Sequence, residues 1–394
     1  MDNTKQLNIE YFSLQSLFWM TYCMVVGFSV TYLLSCGYSN SEAGYILASA
    51  NICALILQPF FADLADRSKK INAMTIFLVS IEIIFVCSIG LFFIGVRSLI
   101  LTLIYIVMIT LANAVIAFLT SIQFLMDTSK SKINFGLCRA GGSLCFAILS
   151  ALMGIMIERI GMKSIPLALF IITLLMIGLC IFITRHSING NIKAVLTLEK
   201  KRSSSLFVFF KENPRFMILS IAMLFIYYAH AFITNFTISI VRNVGGDNRE
   251  MGYLIAFMAL MELPGMIGFK EISRRFKVSS LLLFSMIMFS IKAIIVWLSP
   301  SLMTLTFGFA LQVVSFAIYI PASVQYANII IDEKDTVKAQ MMFNLMQTGG
   351  AVFSSIIGGW LIDFSGISHA LLVGAILSCI GTVIAFAGIQ NTKR

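Results

Sequence analysis

The chain has 394 residues, of which 59% are hydrophobic and only 12% charged, with a formal net charge of +10. A soluble domain carries about 45–50% apolar and about 25% charged residues, so a water-soluble fold could not hide this much apolar surface. The apolar runs are continuous rather than alternating, which excludes a barrel and leaves membrane-spanning helices.

Taken in chain order, the first ten residues are polar and show no signal-peptide pattern. Runs of about 20 apolar residues suffice to cross the hydrocarbon. Such runs predict helices over 11–36, 43–64, 71–95, 98–125, 135–157 and 163–184, then over 215–241, 251–272, 279–298, 301–330, 337–362 and 368–389. The segment 186–211 is polar, carries Lys200, Lys201, Arg202 and a serine run, and reads as a linker. The expected organisation is therefore an N-terminal six-helix half (1–185), a cytoplasmic linker (186–211) and a C-terminal six-helix half (212–394). The eight cysteines stand singly, mostly inside apolar runs, and read as buried thiols.

With twelve spans both termini share a side. That side collects most of the lysines and arginines, including Arg67, Lys69, Lys70, Lys130, Lys132, the linker cluster, Arg274, Arg275 and Lys277. The positive-inside rule makes it the cytoplasmic face. Basic loops beside anionic lipid account for the net charge without a nucleic-acid partner.

Sliding the sequence by 208 residues superposes the halves. Asp127, Thr128 and Lys130 fall on Asp335, Thr336 and Lys338, and Gly141-Gly142 falls on Gly349-Gly350. Arg67 and Lys69 meet Arg275 and Lys277. One offset aligning two loops per half indicates two parallel repeats, an arrangement that places a site between halves that rock. Symmetry breaks at Arg139, which meets Gln347, and at Tyr22, which meets His230.

Ionisable groups at membrane depth are costly and mark functional candidates. Five lie inside the expected spans: Glu82, Arg139, His230, Glu262 and Lys292. Each is expected to face a partner or a watery cavity. Arg139 precedes Gly141 and Gly142, whose small size favours an inward guanidinium able to fork onto a carboxylate or two hydroxyls. Glu262 precedes Pro264 and is a carboxylate suited to carry a proton. His230 follows Tyr227 and Tyr228 and is a candidate relay or ligand contact. Glu82 and Lys292 sit at similar depths of the two halves, and structural pairing is one outcome expected for them. Asn113, Gln123, Gln312, Gln325, Asn344 and Gln347 add groups suited to hydroxyls or amides. In the first cytoplasmic loop Asp63, Asp66 and Arg67, echoed by Arg275, suit interhelix ion pairs that latch one conformation.

That loop, Ala62-Asp63-Leu64-Ala65-Asp66-Arg67-Ser68-Lys69-Lys70, resembles the G-x-L-a-D-R-x-G-R-K signature of the major facilitator superfamily, with Asp66 and Arg67 matching and both glycines replaced. A closer resemblance, over nearly the whole chain, is to the branch containing lactose, nucleoside and phenylpropionate permeases. Phe135-Gly136-Leu137-Cys138-Arg139 through Ser143 looks like its Y/F-G-x-x-R-x-x-G-S. Met261-Glu262-Leu263-Pro264 looks like its eighth-span glutamate motif. The Gly349-Gly350, Gly358-Gly359 and Asp363 series resembles its eleventh span. The resemblance implies a proton-coupled importer in which Arg139 and Glu262 contact solute or couple the proton. Gln312 and Ser315 stand where lactose permease has histidine and glutamate, and Ser121 stands for a fourth-span glutamate, so its relay does not carry over.

The expected fold is an all-α membrane protein of twelve helices in two pseudo-symmetric halves. The expected activity is proton-linked uptake of a sugar, glycoside or similar small polar solute by alternating access. Nucleoside or aromatic-acid import and export of amphipathic compounds are the alternative transport readings. A membrane enzyme is disfavoured because no nucleophile–base or metal-like cluster appears. A nutrient sensor is disfavoured because the loops hold no signalling domain. Solute contacts are expected from Arg139, His230, Glu262, Gln312, Asn113, Tyr228 and Lys292, and proton coupling from Glu262 and His230. The gate is expected at Asp63, Asp66, Arg67 and Arg275. No cofactor or metal is expected. The protein is expected to act as a monomer in the cell membrane, with both termini cytoplasmic.

Overall fold

The computed structural model describes residues 3–68, 71–127, 133–188, 206–332 and 335–392. Lys69, Lys70, Lys130, Lys132, most of the linker and the side chain of Asp66 lie outside the described residues. All regular structure among the described residues is helical: α1 (Asn3–Tyr22), α2 (Ser29–Ser35), α3 (Asn40–Arg67), α4 (Ala73–Phe93), α5 (Leu99–Ala114), α6 (Ile116–Met126), α7 (Phe135–Ile160) and α8 (Ser164–Ile183). There follow α9 (Leu206–Glu212), α10 (Pro214–Asn235), α11 (Thr237–Asn243), α12 (Asn248–Arg275), α13 (Val278–Trp297), α14 (Leu302–Ala310), α15 (Phe316–Ile330), α16 (Thr336–Phe353), α17 (Gly359–Ser365) and α18 (Ile367–Gly388).

Among the described residues ten helices are long and apolar enough to cross a membrane, or up to twelve spans when two bent pairs each count once. Those pairs, α1 with α2 and α5 with α6, bend by 41° and 43°. The breaks were not visible in the apolar runs, because a bent span is as apolar as a straight one. The expected linker region contains a helix at its end, α9.

Helix ends follow ordinary capping chemistry. Asn72 accepts from the Thr75 amide at 2.9 Å to start α4, and Ser98 accepts from the Leu101 amide at 3.2 Å to start α5; each satisfies an otherwise unpaired first-turn donor. Asp247 starts α12 with a capping box: it accepts from the Glu250 amide at 3.3 Å while Glu250 accepts from the Asp247 amide at 3.0 Å. The Glu250 side chain first, then the backbone amides of Arg249 and Glu250, hold the Asp247 carboxyl below the usual carboxylate range. Gly161 (φ 91°) and Gly366 (φ 88°) close turns in the left-handed region, where a side chain would be strained.

The chain forms two compact units. One comprises Met1–Ser39 with Ser49–Glu199, the other Asn40–Ala48 with Lys200–Arg394. In the first, α1 packs on α7 and α8, and α4 on α8 and α5. In the second, α10 packs on α16 and α18, and α13 on α15 and α18. The core of the second unit is apolar and aromatic, with Phe216 stacked on Phe343 at 4.6 Å beside Leu219, Met223 and Met286.

The repeat has a packing cause. Gly142 lets α7 press onto α1: a methyl there would lie 2.6 Å from Trp19 Cδ1 and 3.2 Å from the Gln15 carbonyl. Gly350, at the 208-residue offset, lets α16 press onto α10, where a methyl would lie 2.6 Å from the Leu224 carbonyl and 2.9 Å from the Tyr228 nitrogen. Small residues permit the same close helix approach in both units.

None of the eight cysteines is disulfide-bonded. Cys53 departs from the expected burial and is exposed on α3.

Candidate functional site

In the second unit α12 and the break between α14 and α15 are brought together by a glycine. A methyl at Gly265 would lie 2.5 Å from the Val313 carbonyl and from Ala317 Cβ. One turn before Gly265, Glu262 therefore meets the short 3-10 turn Leu311–Val313. Gln312 on that turn donates from Nε2 to Glu262 Oε1 at 2.9 Å and accepts at Oε1 from Lys292 Nζ at 2.6 Å. Lys292 also reaches Met258 Sδ at 3.9 Å and the Phe309 ring at 5.5 Å. Lys292 and Gln312 are each 1% exposed. A primary amide thus bridges a buried ammonium and a carboxylate, using its one acceptor and one of its donors in the two directions.

His230 is buried beside this chain. Its ring stacks on Phe316 at 5.0 Å and meets Phe289 and Tyr227 edge-on at 5.2 and 5.3 Å. Phe289 is one turn before Lys292 on α13, and Phe316 one turn after Gln312. His230 Nδ1 has no hydrogen-bond partner among the described residues. Tyr227 continues to Tyr319 at 6.0 Å, whose hydroxyl accepts from Gln347 Nε2 at 2.9 Å.

In the first unit Arg139 lies 3.9 Å over the Trp19 ring and donates to Ser143 Oγ at 2.7 Å. Trp19 donates in turn to Gln15, which donates to the Tyr11 hydroxyl at 2.7 Å. A second group forms around Asn113. It accepts from the Tyr22 hydroxyl at 3.0 Å, donates to Asn51 at 2.9 Å, and its carbonyl accepts from Gln58 at 3.1 Å.

Of the residues singled out from sequence, Glu262, Gln312 and Lys292 form one chain, with His230 beside it. Tyr228 does not join them: it is buried with its hydroxyl unpartnered among the described residues, and its neighbour Tyr227 faces the aromatic group instead. Adjacent helical residues point about 100° apart, which decides between them. Lys292 is taken up by Gln312, so the pairing considered for it with Glu82 is not made; Glu82 stands exposed on α4. In the candidate gate, Arg67 pairs with Asp63 at 2.7 Å one turn away on α3, and both side chains are exposed. That pair lies within a helix rather than between helices. Near Arg275 the ion pair belongs to Arg274, which forks onto Glu271 at 2.8 and 3.0 Å.

Trp19 and Asn51 escaped the sequence reading, and Tyr227 was named beside His230 but not among the expected contacts. The repeat carried a signal for two of them, since Trp19 meets Tyr227 at the same offset of 208. Asp363 was named only as part of the eleventh-span pattern, without a role. Its carboxylate accepts from the Ser41 amide at 2.7 Å, the Ser41 hydroxyl at 2.5 Å, and the Asn40 side-chain and backbone nitrogens at 2.9 and 3.2 Å. It thereby caps α3 within the second unit. Among the described residues no group of three or more metal-ligating side chains occurs.

Residues 7–373 match the model of the MFS_1 like family. The chain is 21% identical over 347 residues to a maltose permease of Geobacillus stearothermophilus, covering 88% of this chain and 85% of that one. It is 25% identical over 359 residues to the uncharacterized transporter YwbF of Bacillus subtilis (strain 168), covering 87% and 83%. A mutant form of the nucleoside transporter NupG shares its fold, with a TM-score of 0.79 at 15% identity over 98% of this chain and 99% of that one. Its neighbours are transporters and not enzymes, and its many apolar helices make it a multi-pass membrane protein that moves a small molecule. The chain belongs to the MFS_1-like family of major facilitator transporters.

Proposed function

We propose that this transporter imports a sugar, glycoside or comparable small polar solute together with protons, by alternating access. The observation that carries this reading is the Lys292–Gln312–Glu262 chain, at 2.6 and 2.9 Å, with Lys292 and Gln312 buried and Glu262 half-buried within the apolar length of its helix. Such a network is expensive in a membrane and is kept where ions or polar solutes are handled. The name of the maltose permease relative favours the sugar reading.

In the proposed cycle Glu262 takes a proton from outside, with His230 as the neighbouring titratable group. Arg139, Asn113, His230, Glu262, Gln312 and Lys292 remain the proposed contacts for a hydroxyl-bearing solute. Loss of the proton on the cytoplasmic side releases the solute. Coupling arises because proton and solute each bind one conformation better than the other. Asp63, Asp66, Arg67 and Arg275 remain the proposed cytoplasmic gate. Both termini lie on the cytoplasmic side of the cell membrane, and each copy transports by itself, since one chain carries all of these groups.

Nucleoside import is the second reading. The aromatic surround of His230, formed by Phe289, Phe316 and Tyr227, suits a flat base, and the NupG neighbour is named a nucleoside transporter.

The test is solute-induced proton uptake in proteoliposomes over sugars, glycosides, nucleosides and aromatic acids, with Glu262→Gln alongside. External alkalinisation driven by one sugar class and lost in the variant is expected. Transport of every effective solute without proton movement rules out the symport.

A further inference from the structure

We propose that Asn51 on α3 is a specificity-determining contact of the first unit: its Nδ2 donates to a hydroxyl oxygen of the transported solute, and Tyr22 and Asn113 set the direction of that amide. The proposal rests on the reading above of a carrier for a hydroxyl-bearing solute. It adds to that reading a residue and a hydrogen-bonding sense that the solute must match.

The direction follows from one line of hydrogen bonds. The Tyr22 hydroxyl on α1 donates to Asn113 Oδ1 on α5 at 3.0 Å, and it has no other acceptor among the described residues. A phenol carries one hydrogen, so Asn113 turns its oxygen toward Tyr22. Its Nδ2 then points away and donates to Asn51 Oδ1 at 2.9 Å. Asn51 is left with its Nδ2, whose hydrogens meet no acceptor among the described residues. Turning both amides round would leave the Tyr22 hydrogen unused, and an unmade hydrogen bond is costly away from water. The three side chains therefore pass donation in one sense, and the line ends on an N–H donor.

The line is held firmly in place. Thr110, one turn before Asn113, donates to the Ala50 carbonyl at 3.2 Å and fixes the α3 backbone beside Asn51. Gln58 donates to the Asn113 carbonyl at 3.1 Å, just before the 43° bend between α5 and α6. Asn51 is the twelfth residue of α3, about 17 Å from its start at 1.5 Å per residue. That is near the middle of a hydrocarbon layer about 30 Å thick. An amide pair that only joined helices would keep its donors between them. A spare N–H group at this depth is unfavourable until an oxygen meets it. Tyr22, Asn113 and Asn51 are all half-buried, so the line is open along one side. It begins beside Arg139, since the Tyr22 ring lies 5.3 Å from the Trp19 ring on which Arg139 stacks at 3.9 Å. The guanidinium and the free end of Asn51 both present donors, which selects solutes by their oxygen acceptors. Asn113 is here a positioning residue, in addition to the contact proposed for it above.

A hydroxyl both donates and accepts, fluorine only accepts, and hydrogen does neither, so the three at one carbon report the sense of the bond. The experiment measures uptake of labelled maltose and of labelled uridine into proteoliposomes, inhibited by the monodeoxy and monodeoxyfluoro derivatives of each. In the wild type one hydroxyl position should bind better as the fluoro than as the deoxy derivative, by roughly threefold. Asn51→Leu should raise KM roughly tenfold, the equivalent of one neutral hydrogen bond. It should also erase the discrimination at that position and at no other. Asn113→Asp accepts from Tyr22 and has no donor to offer, so Asn51 turns its Nδ2 to the new carboxylate and its Oδ1 to the solute. The fluoro derivative should then fall to the level of the deoxy one while the hydroxyl is still accepted. The wild-type and Asn113→Asp comparisons stand whether or not Asn51→Leu folds. Fluoro derivatives no better than deoxy ones at every position in the wild type overturn the proposal. So does Asn51→Leu with unchanged KM and discrimination. These effects without proton movement strike the proton coupling alone, whereas a wild type that carries neither solute strikes the solute reading and this contact with it.

Discussion

Lys292 Nζ lies 2.6 Å from Gln312 Oε1, and this amide is the group that carries the lysine's charge toward Glu262. Removing one partner of a buried charge costs about 3–5 kcal/mol, whereas replacing the charge itself by an apolar group of similar size is often neutral or favourable. Gln312→Leu should therefore be strongly destabilising, and Lys292→Met added to it should restore much of the loss. Thermal unfolding of the two singles and the double closes the cycle. Equal damage from Gln312→Leu with and without Lys292 would show that the amide supports packing rather than the ammonium.

The glycine pairs should differ in how they fail. Gly350→Ala places a methyl against backbone atoms of Leu224 and Tyr228, so α16 must back away from α10. Overpacking of this kind costs about 1–3 kcal/mol, which should appear as a lower melting temperature. Gly142→Ala displaces the Trp19 ring, which lies under Arg139. It should reduce uptake more than stability, and Trp19→Phe in the same chain should recover the fit. Identical losses of stability and uptake in both variants argue against this distinction.

Asp363 should control the order of the first residues of α3. Asp363→Ala removes the acceptor of the Asn40 and Ser41 amides, a capping loss of about 1 kcal/mol. Amide hydrogen exchange at Asn40 and Ser41 should quicken, with Asp363→Asn intermediate. Unchanged exchange would remove Asp363 from this role.

The Asp247 cap should give a pH signature. Its carboxyl is held below the ordinary range by the Glu250 side chain and the backbone amides of Arg249 and Glu250. A depressed carboxylate stabilises the fold above its unfolded value, and the gain is lost as pH falls through the folded one. Asp247→Ala should thus melt below the wild type at neutral pH by about 1 kcal/mol of capping energy. The difference should shrink as pH falls below the ordinary carboxylate range. Asp247→Asn, which caps without titrating, should show no such convergence.

Composition and run length alone determined that this chain crosses a membrane many times, because about 20 apolar residues per crossing is a requirement of the hydrocarbon itself. The 208-residue repeat was equally legible, since close helix approach demands small residues at Gly141-Gly142 and at Gly350. Glu262, Gln312 and Lys292 could be singled out because polar groups are conspicuous in apolar runs, but their joining through the Gln312 amide could not. It depends on the break at Leu311–Val313 and on the space left by Gly265. The direction of each side chain was the least legible property. In water an apolar stripe marks the buried face of a helix. In lipid the outer face is as apolar as the core, so the pattern does not say which way Glu82 points or whether Tyr227 or Tyr228 meets His230. Only the tertiary structure decided these, by fixing the rotation of each helix against its neighbours.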